Sequence, residues 1–194
     1  MDRIVVVDAD PEWPKQFQEI AAHLSPFLAD SIVRIEHVGS TSVLGLAPKP
    51  IIDIDVVVAD EEQVPIVLGL IESAGYRWVG DLTVKGREAF EPEDAQHLPD
   101  HHLYLVVENN RAHVDHWLLR DALIDDPELI ERCAAIKRDN AVLADGDGEL
   151  YVALKAAFVA DVLTKARRDH GLAPVEYWQP ELVEFLRPSP RRCD

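Results

Sequence analysis

The apolar positions of this 194-residue chain change period several times. "IIDIDVVVA" at 51–59 is almost continuous in β-branched and apolar residues, interrupted by Asp53 and Asp55. Such a run predicts a central strand. "SIVRIEHV" at 31–38 and the alternating "HHLYLVVE" at 101–108 predict two more strands. "RIVVVD" at 3–8 and "YRWVG" at 76–80 predict short ones. Elsewhere the period is helical. Phe17, Ile20, Ala21 and Leu24 share one face of a helix over 14–29, with Pro14 in its first turn. A helix over 61–74 stops at Gly75. Further helices are expected over 111–124, over 126–144 with Asp126 as N-cap and Pro127 in first position, and over 149–171, closed by Gly171.

Between these elements lie turn signals. Residues 39–50 carry two glycines, two prolines and three hydroxyl side chains, and read as a loop that can hold one helical turn. Residues 81–100 have no clear period and read as a hairpin with a mobile loop. Strands and helices mix first and helices follow. That order predicts an α/β or α+β core with a helical C-terminal part from about residue 111. One domain is expected over 1–172. Residues 173–194, with prolines at 174, 180, 188 and 190, read as a tail.

Composition narrows the class. Apolar residues make up 47% of the chain, enough for a packed core. No stretch approaches the roughly 20 apolar residues of a membrane span. The apolar run near the start is too short, and its flank too acidic, for a signal peptide. Cys133 and Cys193 are the only cysteines and read as free thiols. A cytoplasmic location is expected on these grounds. The formal net charge is -17, which repels phosphate backbones, and Arg191 and Arg192 form the one basic cluster visible along the chain. Nucleic acid is thus a disfavoured partner. A small charged ligand accompanied by a metal ion is allowed; the acidity equally suits plain solubility or a salty habitat.

Asp53 and Asp55 are the chemical anomaly. One residue apart on a strand, they share a face opposite to Ile52, Ile54 and Val56. Two adjacent carboxylates repel, and burying either one unpaired is costly. A divalent cation reverses this balance. Mg2+ suits two carboxylates because it takes hard oxygen ligands and accepts substrate phosphates as well. The competing reading puts both aspartates at a solvated strand end. Upstream, Gly39, Ser40, Thr41 and Ser42 supply backbone and hydroxyl donors that can approach phosphate oxygens.

The motif "HVGSTSVLGLAPKPIIDIDVVV" resembles the signature of the GrpB family, also called UPF0157. "VVVDADPEWPKQFQEI", "HHLYLVV", "DPELIERCAAIKR" and "YVALKAAFVADVL" resemble its other blocks, so the likeness spans most of the chain. That family in turn resembles the nucleotidyltransferases, which carry Gly-Ser on a loop and Asp-x-Asp on the following strand. Gly39, Ser40, Asp53 and Asp55 match that pattern. The resemblance implies a nucleotidyltransferase-like mixed sheet flanked by helices. It also implies Mg2+-dependent, two-metal transfer of a nucleoside monophosphate from a nucleoside triphosphate to a small acceptor.

Departures qualify the match. The third carboxylate usual in the superfamily has no fixed place here; Glu108 and Asp115 are the candidates. The family's Arg-Thr-His-His-Leu-His block reads Pro99, Asp100, His101, His102, Leu103, Tyr104. Leu44 stands where the family usually has proline. A catalytically inactive member that binds a nucleotide or a partner is therefore the alternative. A link to coenzyme A metabolism comes with the family's fusions to dephospho-coenzyme A kinase. Among other residues, His37 reads either as a phosphate contact or base, or as a satisfied strand histidine. Lys49 reads as a phosphate partner or a solvated lysine. His113 and His116, three apart on a helix, could join Asp115 around a transition metal or simply lie on a surface. Arg120 and Asp121 match a family pair that either contacts phosphate or fixes helix to sheet, and Lys155 matches a family lysine within reach of a cleft.

Overall fold

A computed structural model describes residues 7, 9–46, 49–145 and 147–174. The strand expected at 3–8 lies outside these residues except for Val7, which packs against the core. Most of the expected tail, residues 175–194, lies outside them too.

Among the described residues five strands form one sheet: β1 (Arg34–Val38), β2 (Ile52–Val58), β3 (Tyr76–Gly80), β4 (Arg87–Pro92) and β5 (His101–Val107). Their order is β1-β2-β5-β4-β3. β2 and β5 run parallel, and the other neighbours are antiparallel. The sheet is thus mixed, and the architecture is α+β. The stretch at 81–100, expected as a hairpin with a loop, contributes β4, which forms a hairpin with β3. Its alternation was hidden because charged Arg87, Glu88 and Glu91 occupy a strand that is only partly buried.

β2 is the central element, and both its faces are covered. Ile52, Ile54, Val56 and Val58 join Leu103 and Leu105 of β5 in the main core. That core is roofed by Ile20, Leu24 and Leu28 of helix α1 (Trp13–Leu28) and by Val67 and Ile71 of helix α2 (Val64–Ser73). Full burial of each such side chain contributes roughly 1.5–3 kcal/mol. On the opposite face, Val57 and Val106 meet Ala112 of helix α3 (Arg111–Ile124). Helices α4 (Pro127–Ala144) and α5 (Gly148–Asp169) pack on α3 and on each other through Leu118, Leu123, Phe158, Val162 and Leu163. α4 starts at its expected cap, with Asp126 accepting from the Leu129 N–H, and Asn110 caps α3 by accepting from the His113 N–H. No described helix is long and apolar enough to cross a membrane.

Candidate functional site

The segment between β1 and β2 begins with Gly39 at φ 68° and continues as one 3-10 turn, Ser40–Ser42. A β-carbon on Gly39 would fall 2.1 Å from Asp53 Oδ2, so the loop closes on β2 only without a side chain there. The Ser42 hydroxyl donates to the Gly39 carbonyl at 2.6 Å. Val43 and Leu46 are buried among α3, α4 and α5, which pins the far end of the loop. Thr41 is buried, with Oγ1 2.9 Å from His37 Nε2. The His37 ring stacks on Phe17 at 4.9 Å. Burial drops the His37 pKa to about 4, so the ring is neutral. His37 braces the turn from behind and does not line the cavity described below.

Asp53 and Asp55 do share one face of β2, the face under the three C-terminal helices. Each is paired with a histidine through Nδ1. His102 lies 2.9 Å from Asp53 Oδ1. His116 lies 3.0 and 2.8 Å from the two oxygens of Asp55. The register explains the first pair, because Asp53 stands directly across from His102. The second arises where α3 crosses the sheet. The Asp53 side chain is 31% exposed and the Asp55 side chain 0%. Burial acts to raise the Asp53 pKa, but the His102 hydrogen bond and the charges of His102, Lys155 and His116 outweigh it and hold it low. Burial acts to lower the His116 pKa, but the charge and hydrogen bond of Asp55 prevail and raise it.

Between the sheet and the C-terminal helices lies a cavity of about 840 Å³. Its wall brings together Lys49, Lys85, Arg87, Arg111, Lys137 and Lys155, against the acids Asp53, Glu61 and Asp115. Lys49 and Lys155 stand where a phosphate partner and a cleft lysine are expected, whereas Lys85, Arg87, Arg111 and Lys137 are scattered in sequence and fall outside the expected basic cluster at Arg191 and Arg192. Lys137, on α4, is the least foreseen. It is 4% exposed and its Nζ contacts the Ser40 hydroxyl. Burial pulls its pKa down to about 8. Lys49 lies over the Tyr151 ring at 4.6 Å, and burial and the charge of Lys155 lower its pKa. Of the donor loop, Ser40 reaches the cavity wall, whereas Gly39, Thr41 and Ser42 stand behind it.

The two candidates for a third carboxylate go elsewhere. Glu108 binds Arg34 Nη1 at 2.5 Å, beyond the end of β5. Asp115 lines the cavity but is engaged by Arg167 and, at 3.5 Å, by Arg111. The positions beside the aspartates on β5 are His102 and Tyr104. His113 and His116 do not converge on Asp115. His113 Nδ1 accepts from the Asn109 N–H at 3.0 Å, which places its proton on Nε2, 3.2 Å from Glu36 Oε2. Arg120 reaches the His37 carbonyl at 3.3 Å and so ties α3 to β1.

Among the described residues no three acidic, histidine or cysteine side chains are grouped to hold a metal. Asp53 offers a partly exposed carboxylate, whereas Asp55 has both oxygens on His116. This donor set fits one Mg2+ ion anchored at Asp53 and completed by water and ligand phosphates. It does not fit a three-carboxylate, two-metal centre.

Residues 3–165 match the GrpB protein family. A UPF0157 protein of Halalkalibacterium halodurans is 31% identical over 84% of this chain and 82% of its own length. The crystal structure of the conserved protein GrpB from Enterococcus faecalis superposes with a TM-score of 0.74 at 28% identity, over 86% of this chain and 99% of that one. A dephospho-CoA kinase of Mycolicibacterium paratuberculosis is 31% identical over 90% of this chain, which spans about half, 48%, of that relative. The Cid1 complex with its short product ApU is a fainter likeness, with a TM-score of 0.49 and 14% identity over 68% of this chain and 42% of that one.

Proposed function

The chain belongs to the GrpB family, and from that premise we propose that it binds a nucleoside triphosphate with Mg2+ in the cavity beneath its C-terminal helices and transfers the nucleoside monophosphate to a small acceptor. One observation carries the reading. A chain of net charge -17 gathers six cationic side chains around a single cavity, with Ser40 and Asp53 in its wall. Concentrating cations against such a field suits a small polyanion. Ser40, Lys49, Lys137 and Lys155 form the end that takes the triphosphate. Mg2+ at Asp53 supplies neutralisation of phosphate charge.

The residues' own tasks follow from the geometry. Gly39 lets the loop lie against Asp53. Lys137 steadies the Ser40 hydroxyl and sets a charge beside it. His102 and His116 fix the orientation of the two carboxylates. In the reaction the acceptor oxygen bonds to the α-phosphorus, the bond to the bridging oxygen breaks and pyrophosphate leaves. The acceptor's proton passes to solvent. Positioning and electrostatics supply most of the acceleration in such chemistry. A cytoplasmic protein acting on soluble ligands is the setting that this requires.

The second reading, binding without transfer, is favoured by the His116 lock on Asp55 and by His102 and Tyr104 where a third acid would stand. The match to half of a dephospho-CoA kinase makes coenzyme A chemistry the context to examine under that reading.

Calorimetry of ATP and GTP, with and without Mg2+, tests both. The transfer reading expects Mg2+-dependent triphosphate binding, at least tenfold weaker in Asp53→Ala, and pyrophosphate release once an acceptor is supplied. Binding unaffected by Mg2+ and by Asp53→Ala overturns the metal role. Tight binding with no pyrophosphate released from any acceptor favours the second reading.

A further inference from the structure

On the site face of the sheet the strands run in the order Ser40 beside β1, Asp53 and Asp55 on β2, His102 and Tyr104 on β5, and Arg87 on β4. The cavity therefore has a second cationic end, on the far side of the aspartates from Ser40. With neighbouring strands about 4.8 Å apart, β4 lies roughly 10 Å across the sheet from β2. Arg87 lines this end. Its guanidinium carbon lies 4.2 Å from the centroid of the Tyr104 ring, and Tyr104 stands directly across from Asp55.

Arg87 is placed with care and left incomplete. Its Nε is buried with no hydrogen-bond partner. A buried donor in that state is uncommon in folded proteins. The segment before it is shaped by three left-handed residues, Leu82, Thr83 and Gly86. Asn110 clamps that segment by donating to the Gly86 carbonyl at 2.7 Å, while the same side chain caps α3. Tyr104 thus has a use that its departure from the family's histidine did not suggest: a flat platform on which the guanidinium rests.

We propose that the Arg87 end of the cavity holds the acceptor through an anionic group, a phosphate or a carboxylate, which takes the planar guanidinium fork. An arginine presents a fixed fork to such groups, which a lysine does not. The proposal rests on the reading that the triphosphate occupies the Ser40–Lys137 end, and it makes the acceptor an anionic small molecule. The acceptor's charge sits across Tyr104 from the centre where its oxygen attacks.

The test titrates inorganic phosphate and, separately, succinate into the full chain, first alone and then saturated with Mg2+ and a non-hydrolysable ATP analogue. The proposal expects one of the two anions to bind in both states, which shows a site apart from the nucleotide. It expects at least a tenfold loss in Arg87→Met and a smaller but clear loss in Arg87→Lys, with both variants melting as folded proteins. The tighter anion names the acceptor's charged group. Neither anion binding, binding only by displacement of the nucleotide analogue, or wild-type affinity in Arg87→Met or Arg87→Lys each overturns it. Should the analogue fail to bind, the triphosphate reading falls, and the Arg87 dependence in the nucleotide-free titration still decides the anion site.

Discussion

Gly39 and Asp53 touch: the backbone of the loop lies so close to the carboxylate that a β-carbon on Gly39 would stand 2.1 Å from Oδ2. The contact joins the donor turn to the acidic strand and fixes the distance between them. Gly39→Ala should therefore push the loop off β2 and add strain at φ 68°. A loss of about 1–3 kcal/mol in denaturant unfolding is expected, together with at least tenfold weaker triphosphate binding. Wild-type affinity in Gly39→Ala would separate the loop from the ligand.

Lys137 should impose an upper pH limit on binding. Its pKa near 8 means that the empty site loses this charge above pH 8. Triphosphate affinity should then fall by up to about tenfold per pH unit. The sign for folding is opposite. The unfolded lysine keeps its proton up to about 10.5, so the folded state gains stability between about pH 8 and 10.5. Calorimetry over pH 7–10 checks the first effect and thermal melts the second. Lys137→Met should flatten both.

His116 is the partner of a fully buried carboxylate. His116→Ala should leave Asp55 with its charge uncompensated, and breaking such a pair from one side costs about 3–5 kcal/mol. Asp55→Asn combined with His116→Ala should recover a large part of that loss, because the orphaned charge is gone. Chemical denaturation of the two singles and the double variant measures the coupling. Additive losses would mean that the pair is not coupled in the fold.

Glu36 should govern acid stability. It stands across from Asp55 on β1 and is held by His113 and Arg34, which bring its pKa down to about 2 despite burial. A carboxyl lowered in this way stabilises the fold above pH 4.5, and the gain is lost as pH falls toward 2. The shift corresponds to about 3 kcal/mol at most. Glu36→Gln should remove that increment at pH 7 and flatten the acid limb of a stability–pH curve. An unchanged limb would assign acid sensitivity to other groups.

The chain's own pattern carried the central strand, the helix cap at Asp126, and the pairing of Gly39–Ser40 with Asp53 and Asp55 across a dozen residues. These are local matters of period, turn chemistry and spacing. β4 was not legible, since its hydrophobic face is short and its charged residues resemble a loop. His102 and His116 stood out as histidines but not as partners of the aspartates. One depends on strand register and the other on where a helix crosses the sheet.

What the sequence determined by itself was which residues alternate, which segments coil, and that two carboxylates would share a face beneath a glycine-opened turn. Only the tertiary structure decided that Lys49, Arg87, Lys137 and Lys155, drawn from a loop, a strand and two helices, meet around one cavity. The physical reason is that side-chain period is set by neighbours a few residues apart, whereas the field in a cavity sums charges from elements that only packing brings together.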